Sequence, residues 1–267
     1  MGNLFDITGK IAMVTGGSKG LGRQIAEGLL EGGATVIVAN RNETEGSSTA
    51  RELRESIGGT LGAVRMDVTD AGSVRQAVAF VEEVFGTVDV LVNCAGISAN
   101  TPLALEGESI SLFRRILEVN VVGVFQCTAA CVPSMKHRGW GRIINISSIY
   151  GMVGVDRSLY VNQSDSSFGL FGYAASKGAV CNLTRDLASS LGKHGVTVNA
   201  ILPATFVTDQ NRHLFQGDVL TRIENRTPLG RVGGAEDLKG VATFLASDAS
   251  AYVTGQMLAV DGGWLAW

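Results

Sequence analysis

Short apolar runs rich in β-branched residues alternate with longer segments of helical period from one end of the chain to the other. This alternation restricts the fold more than any other feature. "KIAMVTG" (10–16), "ATVIVAN" (34–40), "TLGAVRMDV" (60–68), "VDVLVNCAG" (88–96), "GRIINISS" (141–148), "VTVNAILP" (196–203) and "QMLAVDG" (256–262) read as strands. Between them, segments such as "LGRQIAEGLLEGG", "AGSVRQAVAFVEEVFG" and "EDLKGVATFLASDAS" read as helices. Strands that are apolar throughout bury both faces, which implies an α/β fold: a doubly wound parallel sheet with helices on both sides. No break in composition interrupts the alternation, so residues 1–267 are expected to form a single domain. At 45% hydrophobic and 18% charged residues, a chain of this length can fill one large core.

Charge and composition remove several classes of function. The net charge of -3, with Lys and Arg scattered, leaves no basic footprint for nucleic acid and no polybasic run for a membrane surface. No uninterrupted apolar run is long enough to span a bilayer, and "MGNLFDITGK" lacks the apolar core of a secretory leader, so a soluble cytoplasmic protein is expected. Cys94, Cys127, Cys131 and Cys181 form no C-x-x-C pair, and His137, His194 and His213 complete no ligand spacing, so no metal is expected. Free thiols fit a reducing compartment.

The first strand runs directly into "TGGSKGLG", where Gly16, Gly20 and Gly22 open a helix. Glycines there let the backbone turn tightly and approach a pyrophosphate that rests on helix N–H groups. The triplet is a weak signal alone; its place between a strand and a helix strengthens it. The second strand ends in "VIVANRN", with Asn40 and Arg41 where an NAD-binding chain carries an acid. A guanidinium can hold a 2′-phosphate, and Lys19 adds a second cation, so NADP is favoured and NAD is the alternative. The competing reading makes both cations solvated surface residues.

With "NCAG" (Asn93–Gly96), Asn120 in "EVNVVG", "NISS" (Asn145–Ser148) and "YAASK" (Tyr173–Lys177) in order behind the glycine turn, the sequence resembles the short-chain dehydrogenase/reductase family over nearly its whole length. The resemblance implies a Rossmann-type sheet of about seven parallel strands, a homotetramer, and an oxidoreductase moving a hydride between a nicotinamide and a carbonyl or secondary alcohol. It implies Tyr173 as acid/base, Lys177 as its partner, Ser148 as the carbonyl-orienting hydroxyl and Asn120 in a proton relay. By the same resemblance the cofactor lies along Gly16, Ser18, Lys19, Gly20, Leu21, Gly22, Asn40, Arg41, Asp67, Val68, Asn93, Ala95, Gly96, Tyr173, Lys177, Pro203 and Thr208. Asp67 would sit beside the adenine, and Thr208 at the nicotinamide carboxamide.

The chemistry explains the pairing of Tyr173 and Lys177. A free phenol, with a pKa of about 10, is a poor proton shuttle at neutral pH. Residues i and i+4 are neighbours on a helix, so the Lys177 ammonium is expected to favour the Tyr173 phenolate while reaching a ribose hydroxyl. Ser148, at a strand end, would donate to the developing alkoxide. The bland alternative is a core tyrosine and a surface lysine.

Three departures from the family pattern stand out. Cys94 replaces an asparagine, Ala204 replaces the glycine after Pro203, and Ser148 and Tyr173 are 25 positions apart, wider than the pattern. Tyr160 falls nearer the usual spacing, but Ser164 rather than a lysine follows it, which keeps Tyr173 as the acid/base. The extra residues form a polar insertion at 152–171, expected to wall the substrate pocket, with a surface excursion as the alternative. Arg157, Tyr160, Asn162 and Gln163 could bond a polar substrate there, and Arg157 or Arg212 could pair with a carboxylate. Within the family, the sequence resembles gluconate 5-dehydrogenase-like and 3-oxoacyl-carrier-protein reductase-like members. These imply a keto-sugar acid such as 5-ketogluconate or, alternatively, a 3-oxoacyl thioester. A non-catalytic NADPH sensor is the reading from another class, and the complete set of catalytic groups weighs against it.

Overall fold

The computed structural model describes residues 2–98, 109–160, 170–208, 211, 212, 215 and 218–267. Its strands are β1 (Ile11–Thr15), β2 (Thr35–Asn40), β3 (Leu61–Arg65), β4 (Val90–Asn93), β5 (Gly141–Ile146), β6 (Val196–Pro203) and β7 (Met257–Val260). They form one seven-stranded sheet in the order β3-β2-β1-β4-β5-β6-β7, and every neighbouring pair is parallel. The order reverses between β1 and β4, and ligands of such sheets bind at that crevice.

β1, β4, β5 and β6 are buried along their whole length, as apolar runs in a central parallel strand require. The edge strands depart from the expectation of burial on both faces. β3 and β7 are mostly half-buried, because each has a neighbour on one side only. The helices are α1 (Gly20–Glu31), α2 (Glu43–Ser56), α3 (Ala71–Val84), α4 (Ile110–Leu117), α5 (Gly123–Arg138), α6 (Phe171–Leu191), α7 (Asp218–Arg226) and α8 (Lys239–Ala246).

Two clusters of buried residues sandwich the sheet. One packs Ile25, Leu29, Leu238 and Leu245 of the α1 and α8 side against Val14, Val36 and Val92; the other packs Val74, Val78, Cys127 and Met135 of α3 and α5 against Met13, Leu91 and Ile143. Burying each such side chain stabilises the fold by about 1.5–3 kcal/mol before entropy is counted. α1 and α8 pack closely because position 28 is glycine, where a Cβ would come within 2.7 Å of the Lys239 Cα.

α4 passes through a π-turn (Glu118–Val122) into α5, so Ile110–Arg138 is one continuous helix, long and apolar enough to cross a bilayer by length and composition. Burial of Ile116, Val119, Val124, Cys127, Cys131 and Met135 makes it a helix packed in the protein core.

Candidate active site

α6 begins at Phe171, so Tyr173 lies in its first turn and Lys177 one turn deeper, on the same face. β5 ends at Ile146, and Ser148 follows as the cap of a short 3-10 turn, its Oγ accepting from the Tyr150 N–H at 3.2 Å. The parallel strand and the helix therefore deliver the three groups from separate elements to one place. The Ser148 hydroxyl faces the Tyr173 phenol closely enough to lower its pKa. Lys177 Nζ lies 5.4 Å from the Tyr173 ring centroid and donates to the Ile146 carbonyl at 2.7 Å.

The electrostatics differ from the sequence expectation. Burial raises the Tyr173 pKa above the ordinary phenol value, against the lowering effect of the Ser148 hydroxyl. Burial also lowers Lys177 to about 8. Desolvation disfavours the charged form of each group, so burial rather than the i,i+4 pairing sets both shifts.

Asn120 sits in the π-turn, a local widening of the helix that often marks functional positions. Its Oδ1 accepts the Ile97 N–H at 2.8 Å, and its Nδ2 donates to the Ile97 carbonyl and the Ser176 hydroxyl, each at 2.9 Å. Ser176 in turn donates to the Tyr173 carbonyl at 2.7 Å. Both amide hydrogens of Asn120 are thus engaged, and the side chain braces the segment after β4 against the start of α6. Gly96 leaves room there, since a Cβ would sit 3.3 Å from Asn120 Oδ1 and 3.7 Å from Lys177 Nζ.

The glycine turn is built as its sequence suggests. Gly16 and Gly20 have φ of 65° and 54°, and a Cβ at Gly22 would strike the Gly16 carbonyl. Leu21 packs against the core and anchors the helix start. Thr15 Oγ1 accepts the Cys94 and Ala95 N–H groups, both at 3.0 Å, tying β1 to the "NCAG" segment. Asn93 donates to Asn145 at 2.9 Å, which ties β4 to β5. Asp67 accepts from the Thr69 N–H and hydroxyl, which hold its carboxyl below the usual range with help from Arg41 and Arg115. Val68 packs where a Cβ on Gly123 would collide with it.

Asn40 Oδ1 is buried without a hydrogen-bond partner. An orphaned acceptor at the end of β2, beside two left-handed glycines, fits a donor such as a ribose hydroxyl, so the residues present suit a dinucleotide. Lys19 pairs with Glu45 at 3.2 Å rather than standing free. After Pro203 closes β6, the chain carries Thr208 over the glycine turn, where its Cγ2 lies 3.6 Å from a Cβ built on Gly20.

Three supporting residues escaped the sequence reading. Asn211 donates to the Phe206 carbonyl at 2.9 Å and accepts the Thr208 N–H at 2.7 Å, stapling the loop that carries Thr208. An Asn three positions beyond that Thr was the available signal. Ser176, inside "YAASK", and Glu45, in the first turn of α2, left no spacing signal.

Of the insertion, residues 152–160 and 170–171 are described; Asn162, Gln163 and the Tyr160 side chain lie outside the described residues. Leu159 is buried with Val219, Ile223 and Trp264, and its carbonyl accepts from Arg222 Nε at 3.0 Å. The Arg157 guanidinium lies over the Phe171 ring at 5.0 Å, beside the start of α6. Arg212 follows Thr208 in a turn, its N–H bonded to the Thr208 carbonyl at 2.8 Å. Among the described residues, no group of His, Cys, Asp and Glu side chains could hold a metal ion.

Residues 16–265 match the family model described as Enoyl-(Acyl carrier protein) reductase. The chain is 38% identical to the short-chain reductase protein NovJ of Streptomyces niveus, over 95% of this chain and 93% of the relative. It is 38% identical to gluconate 5-dehydrogenase of Gluconobacter oxydans (98% and 96%) and 36% identical to the 3-oxoacyl-[acyl-carrier-protein] reductase FabG of Escherichia coli (96% and 97%). A gluconate 5-dehydrogenase from Burkholderia cenocepacia, solved with NADP and tartrate, superposes with a TM-score of 0.88 at 34% identity, covering 99% of this chain and 98% of that one.

The chain belongs to the short-chain dehydrogenase/reductase family. It is an oxidoreductase that acts on alcohol and carbonyl groups with a nicotinamide cofactor.

Proposed function

We propose that this oxidoreductase reduces the ketone of a keto-sugar acid, with 5-ketogluconate as the model substrate and NADPH as the preferred cofactor. The observation that carries the catalytic reading is the convergence of Ser148, at the end of β5, on Tyr173 at the start of α6, with Lys177 Nζ 5.4 Å from the phenol ring and anchored to the Ile146 carbonyl. A nicotinamide held there would supply the hydride to the carbonyl carbon. Ser148 donates to the carbonyl oxygen and orients it, and Tyr173 gives its Oη proton to that oxygen as negative charge develops. Lys177 keeps a positive charge beneath the phenol as the proton leaves. Asn120 and Ser176 hold the start of α6 in register with the segment after β4.

Gly16, Gly20 and Gly22 would cradle the pyrophosphate. Ser18, Lys19, Asn40 and Arg41 would meet the adenosine ribose and its 2′-phosphate, and Asp67 and Val68 the adenine. Leu21, Asn93, Ala95, Gly96, Pro203 and Thr208 would line the remainder. The missing acid at Asn40 and the cations at Lys19 and Arg41 support NADP over NAD, and several similar structures carry NADP.

The sugar-acid reading draws on the gluconate 5-dehydrogenase relatives and on Arg157, a cation at the start of α6 for a substrate carboxylate. The insertion at 152–171 would wall that pocket, its described part already packed on α7 through Leu159. One observation favours a 3-oxoacyl thioester as the second reading. Met152 and Val153, just past Ser148, are exposed and give the mouth an apolar rim. The whole chain would act as one catalytic domain in a cytoplasmic homotetramer.

NADPH oxidation followed by absorbance against 5-ketogluconate, other keto-sugars and a 3-oxoacyl thioester tests the substrate. Turnover of 5-ketogluconate that weakens, chiefly through KM, in Arg157→Gln is expected. Turnover confined to the thioester would overturn the sugar-acid reading.

A further inference from the structure

The adenosine end of the glycine turn carries a carboxylate that the motifs do not assign. Glu45, in the first turn of α2, reaches back toward the β1–α1 turn. Its Oε1 accepts the Ser18 hydroxyl at 2.6 Å and lies 3.2 Å from Lys19 Nζ. Ser18 accepts from Asn40 Nδ2, and the Ser18 carbonyl accepts the Thr49 hydroxyl at 3.0 Å. Ser18, Lys19 and Asn40 are therefore linked to a single carboxylate. The Ser18 hydrogen bond and Lys19 hold that carboxyl below its ordinary value, so it is an anion at neutral pH. Arg23, in the first turn of α1, pairs with Glu27 and Glu52.

We propose that Glu45 competes with the 2′-phosphate of NADP for Lys19 and Ser18, and so narrows the preference for NADP over NAD. Without the phosphate, Glu45 neutralises Lys19 and fixes the Ser18 hydroxyl. Binding NADP requires the same ammonium to turn to a second anion while Glu45 stays charged nearby. A neutral 2′-hydroxyl makes no such demand. Like charges near a partly screened surface change affinity by about five- to tenfold when one is removed.

The inference rests on Lys19 and Arg41 being the phosphate's partners. Isothermal titration of NADP+ and NAD+ into the wild type, Glu45→Gln, Lys19→Met and the double variant separates the two ideas. Glu45→Gln should tighten NADP+ about five- to tenfold, leave NAD+ within about twofold, and lose its gain in high salt or beside Lys19→Met. Unchanged or weaker NADP+ binding in Glu45→Gln, or equal tightening of both cofactors, would overturn the inference. Lys19→Met that left NADP+ binding untouched would overturn the phosphate reading beneath it.

Discussion

At the scale of single residues, burial decides the state of the site. Lys177 is 6% exposed, and its pKa of about 8 lies below the ordinary 10.5. Between those values the unfolded chain binds more protons than the native one, so this contribution raises stability as pH rises from about 8 to about 10.5. The full difference corresponds to about 3 kcal/mol as an upper bound. Cys94, pushed up to about 11, stays neutral across most of that window. Replacing Lys177 with Met removes the buried charge. The variant should therefore melt above the wild type at pH 7.5, with the gap closing by pH 10; a gap independent of pH would contradict the assignment. None of this was legible in the sequence. "YAASK" placed the phenol and the ammonium on one helix face, but the sign of each shift depends on how much water the fold removes.

At the scale of elements, the strands, the glycine turn and the start of α6 could be read directly, because each depends on local pattern. Positive φ at Gly16 and Gly20 follows from a strand that must turn into a helix within a few residues. Gly22→Ala forces a methyl group onto the Gly16 carbonyl and should cost about 1–3 kcal/mol, with weakened cofactor binding. A melting temperature within a degree of the wild type would refute that. The loop carrying Thr208 was not legible, since its brace joins groups whose meeting depends on the folded loop. Asn211→Ala removes the two hydrogen bonds that staple the Thr208 loop, a segment whose local opening leaves the core folded. NADPH binding should weaken several-fold in titrations while thermal stability is nearly unchanged. Equal loss of both would make Asn211 a general structural residue.

At the scale of the whole molecule, alternation of strand and helix foretold the parallel sheet, and the sheet's order puts the glycine turn, "NCAG" and Ser148 at neighbouring strand ends. The spacing of 25 positions between Ser148 and Tyr173 did not disturb that placement, because α6 enters from its own side of the sheet whatever the length of the insertion. Assembly was beyond the sequence, since an apolar helix face suits a core or an interface equally well. On the continuous helix Ile110–Arg138, Phe125 is 53% exposed and Val122 39%, a pair that a homotetramer would cover. Light scattering should give a tetramer for the wild type and a smaller species for Phe125→Glu; a monomeric wild type would contradict the assembly.

The central claim is that Tyr173, held by Ser148 and Lys177, delivers the proton to the substrate oxygen. Tyr173→Phe keeps the ring and removes only the hydroxyl. Carbonyl reduction should fall by at least about a hundredfold, while NADPH binding, measured by titration on the same preparation, stays within about twofold of the wild type. Turnover that survives with binding intact would place the acid elsewhere and contradict the account.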